Sequence, residues 1–219
     1  MSRLKVPRTP SIRRMPIYLF KLFAMQAEGK TYVSCTELAQ YINLELIVVR
    51  KDIALTGLAG HRRYGYVITE LIDAIKRLIG WSTRMTATII GAGSLASALM
   101  GKTRDFNMSG LTIVSVFDSS PDKIGKVIHG HLIRDIKDFP AYNRENPARL
   151  GILCVPEDNA QEAADLLINN GVLYLWSFAL TCLQVPKNII VQREVLASGL
   201  SELAAKIQQA NGGIIPPID

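Results

Sequence analysis

The 219-residue chain has little cysteine, histidine or tryptophan: three, three and two residues. Cys35, Cys154 and Cys182 are odd in number and far apart, which argues against a disulfide framework or a zinc cage and for reduced thiols in an apolar interior. No apolar run approaches the roughly 18 residues that cross a bilayer. The opening MSRLKVPRTPSIRRMP is basic and lacks the apolar stretch of a signal peptide. A cytoplasmic protein with no membrane partner is expected. There is no P-loop, no G-x-S-x-G elbow and no paired-carboxylate signature. Of the histidines, His61 stands in a glycine-rich stretch. His129 and His131 sit in KVIHGHLIRD with no third ligand of matching spacing, so an exposed strand edge is expected there and no metal.

What the chain does have is unevenly placed. Residues 1–63 hold eleven Lys or Arg against four acids, a balance of +7, while the remaining 156 residues carry −1. An N-terminal third that alone is basic is expected to face a polyanion. Its pattern fits that use. Met15, Ile17, Leu19, Phe20, Leu22, Phe23 and Met25 recur at helical spacing from Ile12 to Glu28, and Gly29 stops the helix. Ser34-Cys35-Thr36-Glu37 is a capping box opening a short second helix. Asn43 can cap a third, with Leu44, Ile47, Val48 and Ile53 inward and Glu45, Val49, Arg50 and Lys51 outward. Two short helices with a tight link, the second basic, have helix-turn-helix proportions. In GLAGHRRYGYVI, glycines at 57, 60 and 65 bracket Arg62 and Arg63, which predicts a small hairpin or wing with two arginines at its tip. Such arginines suit a narrow minor groove. An amphipathic helix over Thr69–Gly80 closes this domain.

After Met85 strand-like and helix-like segments alternate: strands at 86–91, 111–117, 150–156, 172–178 and 188–191, with helices near Ser94–Met100, Asp135–Tyr142 and Glu157–Asn170. The strands are apolar on both faces, which predicts a parallel sheet between helices. There the run Gly91-Ala92-Gly93-Ser94-Leu95-Ala96 acquires a mechanism. Gly91 permits the tight turn, Gly93 lets the backbone approach a pyrophosphate, and position 96 must be small for the helix to pack on the strand. The helix N-terminus supplies N–H groups to the phosphates. Asp118 ends the next strand, where a carboxylate accepts from ribose hydroxyls. Ser119 and Ser120 follow it with no arginine for a 2′-phosphate, so NAD(H) is favoured over its phosphorylated counterpart. No acid or base suited to a hydride path accompanies the loop, which points to binding without turnover. A last helix over Arg193–Ala210 carries Val195, Leu196, Leu200, Leu203 and Ile207 as a stripe that a partner subunit or its own sheet must cover.

The chain resembles the Rex family of redox-sensing transcriptional repressors from VP at 6–7 through the last helix. The most specific stretches are VRKD at 49–52, GLAGHRRYGY at 57–66, IIGAGSLASAL at 89–99, FDSSPDKIG at 117–125, CVPEDNAQEAADLL at 154–167 and LQVP at 183–186. The resemblance implies a winged helix-turn-helix domain over 1–82, a Rossmann NAD(H)-binding domain over 83–192, and over 193–219 a dimerisation helix, exchanged between subunits, with its tail. It implies a homodimer that binds operator DNA when NADH is scarce and releases it when NADH accumulates, not an enzyme.

Carried over by position, the recognition helix falls on roughly Glu45 to Leu55 with Arg50 and Lys51 near DNA, and the wing on Arg62 and Arg63; Arg13, Arg14, Ser34 and Thr36 complete the expected DNA-binding set. The cofactor falls on Gly91 to Ala96, Asp118, Lys123, Ile124, Val155, Pro156 and Phe178. Departures are Ala54-Leu55-Thr56-Gly57 after the recognition helix and Ser177-Phe178-Ala179-Leu180 at the nicotinamide end. At the positions where the family joins an arginine, a tyrosine and an aspartate across domains, this chain has Phe20, Lys102 and Glu194. An altered or vestigial NAD(H) response, or an NAD-dependent oxidoreductase with a basic accessory domain, are the alternatives.

Overall fold

Of the seven apolar positions at helical spacing, Met15, Leu19, Leu22 and Met25 are buried within the first 84 residues of the computed structural model, whereas Ile17 and Phe20 are exposed. The structure describes residues 9–102 and 108–210; Arg3, Lys5, Arg8, the VP pair at 6–7 and the tail 211–219 lie outside them. The described residues fall into two compact units divided at Arg84 and Met85, with 108–110 in the first and the last helix in the second.

The first unit runs α1 (Thr9–Ala27), β1 (Tyr32–Val33), α2 (Cys35–Ile42), α3 (Leu46–Ala54), β2 (Tyr66–Val67) and α4 (Ile68–Leu78). Its core is one cluster built from Met15, Tyr18, Leu19 and Leu22 of α1, Leu38 of α2, Val49 and Ile53 of α3, and Leu71 and Ile75 of α4. Each fully buried Leu or Ile contributes about 1.5–3 kcal/mol of gross burial. The helix α1 continues through Pro16, which donates no N–H to the turn before it, because buried Met15, Tyr18 and Leu19 anchor both sides.

The phase of α3 differs from the sequence expectation. Asn43 does not cap α3; it takes a left-handed conformation and ends α2, and Glu45 occupies the N-cap of α3. Val49 is buried and Ile47 is exposed, the reverse of the expectation, while Ile53 is buried as expected. Asp52, three residues after Val49, shares its buried side. The capping box is half made: the Ser34 hydroxyl accepts from the Glu37 N–H at 3.1 Å, while the Glu37 carboxylate pairs with Lys30. β2 pairs antiparallel with β1, and His61 and Gly65 exchange backbone hydrogen bonds around the tip Arg62-Arg63-Tyr64. A Cβ at Gly65 would strike the Val33 carbonyl, so β1 and the wing approach as closely as they do only with glycine there.

The second unit is a seven-stranded sheet. Its parallel strands are β3 (Met85–Ile90), β4 (Leu111–Asp118), β6 (His131–Asp135), β7 (Leu150–Leu153), β8 (Tyr174–Ser177) and β9 (Ile190–Arg193), with β5 (Val127–Ile128) antiparallel at one edge. The order β5-β6-β4-β3-β7-β8-β9 is, for the six parallel strands, 3-2-1-4-5-6. That is the doubly wound dinucleotide-binding order, with its switch point between β3 and β7. Helices α5 (Ser94–Gly101), α6 (Phe139–Glu145) and α7 (Glu157–Asn169) connect strands, and α8 (Ala197–Ala210) follows β9.

The exposed strand edge expected around His129 and His131 is the β5–β6 hairpin, in which β5 is the edge and β6 lies between β5 and β4. His129 and Gly130 both have positive φ and form the two-residue turn of the β5–β6 hairpin. His129 is therefore at a turn and only His131 is on the strand. Among the described residues no group of three or more His, Cys, Asp or Glu could hold a metal ion, and no helix is long and apolar enough to cross a membrane.

The cysteines are free but differ in setting. Burial raises the Cys154 thiol to about 12, whereas Cys182 is exposed on the loop after β8, contrary to the expected interior placement. In native protein a disulfide reagent at pH 8 is expected to label Cys182 first. The rise at Cys154 from 9.0 to about 12 cuts its thiolate fraction on the order of a thousandfold. Persistence of the fast phase in Cys182→Ser would overturn this assignment.

Candidate dinucleotide cleft and nucleic-acid face

At the carboxyl ends of β3, β4 and β7 lies a cleft of about 960 Å³. Its floor is the turn after β3. Gly91 has φ +92°, and a Cβ there would stand 2.5 Å from the Cys154 carbonyl oxygen, so only glycine allows the loop to pass. The Gly91 N–H donates to the Phe117 carbonyl at 2.8 Å, fixing the turn to β4. Gly93 is the N-cap of α5, and a Cβ built on it meets no atom within 4 Å. That open space over a helix N-terminus fits a pyrophosphate drawn close to the backbone. Ala96 is fully buried beneath it, as helix-on-strand packing demands.

Asp118, 7% exposed, closes one wall. Its Oδ2 accepts from the Ala92 N–H at 2.7 Å and from Lys123 Nζ at 3.0 Å, and its Oδ1 accepts from the Ser120 N–H at 2.8 Å. Burial alone would raise this carboxyl, but the two backbone N–H groups and the Lys123 ammonium together hold it below the ordinary carboxylate value. The residue is thus ionised at neutral pH and ties the glycine loop to the end of β4. Ala92 lends its N–H to this tie rather than lining the cleft.

Gly91, Gly93, Ser94, Leu95, Asp118, Lys123, Val155 and Pro156 all line the cleft. Ile124 sits in the turn after Ser120, its N–H on the Ser120 carbonyl at 3.1 Å. Phe178 packs on Trp176 with ring centroids 5.0 Å apart; neither Ile124 nor Phe178 is on the cleft wall. Sequence reasoning missed the wall formed by Ile136, Lys137 and Pro140 after β6 and by Asn159, Glu162 and Leu166 of α7. The signal for the first group was the strand HLIRD before it, expected only as an exposed edge.

In the first unit, Arg13, Ser34, Thr36, Arg50, Lys51, Arg62 and Arg63 are exposed. They come from α1, the start of α2, α3 and the wing. Arg14 departs from this set. It is turned inward, with Nε donating to Asp52 Oδ2 at 2.6 Å and Nη2 to Oδ1 at 2.8 Å, so its fork is committed to a buried carboxylate. Phe20 is 62% exposed on α1. Lys102 caps the end of α5. Glu194 follows β9 rather than opening the last helix, and its carboxylate accepts from Gln192.

Two family descriptions match the two units: "Putative DNA-binding protein N-terminus" over residues 5–54 and "CoA binding domain" over 82–181. A redox-sensing transcriptional repressor Rex of Treponema denticola is 39% identical over 203 residues, covering 93% of this chain and 96% of its own. The chain belongs to the Rex family. Rex repressors of Roseiflexus sp. and Bacteroides fragilis are 35% and 33% identical, covering 88% and 90% of this chain and 87% and 89% of their own. Among solved structures, the Rex-family repressor RSP in complex with NAD+ and operator DNA superposes with a TM-score of 0.81 at 28% identity, over 94% of this chain and 95% of that one. RSP in complex with NADH gives 0.79 at 28% identity, over 94% and 97%. The Rex match spans both units, so neither the basic helices nor the cleft is an accessory to an unrelated protein.

Proposed function

We propose that this Rex-family chain is a homodimeric transcriptional repressor of the cytoplasm that binds operator DNA when NADH is scarce and leaves it when NADH accumulates. The observation that carries this reading is a doubly wound cleft with its acid and open glycine loop, on one chain with an outward-facing basic helix-turn-helix. In this reading the pyrophosphate lies at Gly91–Ser94 and the N-terminus of α5, and the adenosine ribose lies at Asp118 beside Lys123. Val155 and Pro156 stand toward the nicotinamide end with Phe178 behind them. Bound NAD(H) supplies the redox signal through its nicotinamide. The residues of the cleft bind and orient it, and the chain is not an enzyme. Arg50 and Lys51 of α3 enter the major groove, while Arg13, Ser34, Thr36 and the wing arginines Arg62 and Arg63 hold the flanking backbone and minor groove.

Coupling requires that NADH and NAD+ prefer the DNA-releasing and DNA-binding conformations unequally, by about 1–3 kcal/mol for a useful switch. Fluorescence anisotropy on a duplex enriched from a random pool by the chain itself is therefore expected to show about 5- to 150-fold weaker binding with NADH than with NAD+. Phe20 favours a second reading, DNA binding without an NADH response, because an exposed aromatic replaces the arginine of the family's switch. Equal affinity under NADH, NAD+ and neither would establish that reading and overturn the first.

A further inference from the structure

Arg14 and Tyr18 lie four residues apart on α1 and so share one face. Both reach Asp52 of α3. The guanidinium grips the carboxylate with both branches, and the Tyr18 hydroxyl donates to Oδ2 at 2.8 Å. Asp52 is 1% exposed and Tyr18 is fully buried. This is a costly arrangement, since burying a carboxylate cancels much of what its pairing gains, and a well-packed apolar pair would commonly serve stability as well or better. What the ionic pair has that an apolar pair lacks is direction. A planar fork meets a carboxylate in one geometry, whereas leucines tolerate rotation and slip.

The direction matters because of what else α3 carries. Asp52 follows Arg50 by two residues and Lys51 by one. At about 100° per residue, pinning Asp52 inward fixes Arg50 on the far side of the helix and Lys51 beside it. A roll of α3 by one residue would swing Arg50 from the outward face. We propose that Arg14, Tyr18 and Asp52 form a positioning device for operator reading: they fix the rotation of α3 about its axis and so aim Arg50 and Lys51, and Arg14 does not itself contact DNA. This rests on the DNA-binding reading above.

The test uses the full chain as wild type, as Arg14→Met with Asp52→Leu, and as Arg14→Lys. Each is titrated against the wild-type-enriched duplex and against poly(dI-dC) over a salt series, beside a thermal melt. The double variant leaves the buried Tyr18 hydroxyl without its acceptor, so it is expected to melt cooperatively but below the wild-type temperature, and to bind the enriched duplex at least tenfold more weakly. Its affinity for poly(dI-dC) should stay within about twofold and its salt slope unchanged, because no phosphate contact is lost. Arg14→Lys keeps the charge but loses the fork, and is expected to lose affinity for the enriched duplex alone. A double variant with the wild-type ratio of the two affinities would overturn the proposal. So would weakening on both DNAs with a slope reduced by about one and restored in Arg14→Lys, which would make Arg14 a phosphate ligand. If the double variant gives no cooperative melt, Arg14→Lys decides, and an unchanged ratio there overturns the proposal. A wild-type chain that enriches no duplex overturns the DNA-binding reading itself, and the positioning role falls with it.

Discussion

Asp118→Ala is expected to weaken NADH binding by at least about a hundredfold in calorimetric titration. Hydrogen bonds to an ionised group are worth about 1.5–3 kcal/mol each, and two separate losses combine. The ribose hydroxyls lose their acceptor, and the Ala92 N–H loses the carboxylate that holds it at 2.7 Å. The second loss reaches the pyrophosphate, because Ala92 lies between Gly91 and Gly93 and its N–H anchors the loop they form. Together these amount to about 3 kcal/mol or more, which is two decades of affinity. Asp118→Asn separates the two contributions. It keeps the shape and one acceptor oxygen but presents an NH2 group to donors that now lack a carboxylate, so its loss should fall between wild type and alanine. Operator affinity without cofactor should be unchanged in both variants, since the substitution lies in the second unit and the basic face in the first. Equal NADH affinity in Asp118→Ala and wild type would mean that the carboxylate holds only its own loop.

Local chemistry made this site legible, and long-range pairing hid the rest. Gly91 could be read because a tight strand-to-helix turn demands φ above zero, and Ala96 because a helix lying on a strand has no room for more. Asp118 could be read because a carboxylate closing an apolar strand has few other uses. Ile136, Lys137 and Pro140 could not, since they owe their place to the pairing of β6 with β4, which a short strand expected only as an exposed edge does not announce. Arg14 was misread for a related reason. Its neighbours in sequence are basic and exposed, and nothing local distinguishes it from Arg13. The residue that turns it inward is Asp52, 38 positions away. The phase of α3 failed at Asn43, which has the side chain of an N-cap but took the left-handed C-cap that asparagine also favours.

Leu200→Glu combined with Leu203→Glu is expected to convert the protein from a dimer to a monomer of 24.1 kDa in sedimentation and to weaken operator binding by about 10²–10⁴-fold. The argument starts from α8, which has no buried residue over its fourteen positions. Leu200, Leu203 and Ile207 recur at i, i+3 and i+7, and with Leu196 just before the helix they are between 41% and 72% exposed. Each large apolar side chain left in water forgoes about 1.5–3 kcal/mol of burial, so a chain that leaves four in one stripe has a surface to cover them. In the proposed homodimer a second copy covers them by symmetry, as binding to paired half-sites would require. Two glutamates remove two of those contacts and place two carboxylates where water is excluded. The monomer then binds one half-site at a time, losing the effective concentration that links the two and about half of the phosphate contacts. The salt slope should accordingly fall by about half. Helical content by circular dichroism should be retained, because the stripe is exposed among the described residues. A double variant that sediments at twice the monomer mass would place the dimer contact elsewhere, and one that is monomeric yet binds operator as wild type does would sever dimerisation from recognition.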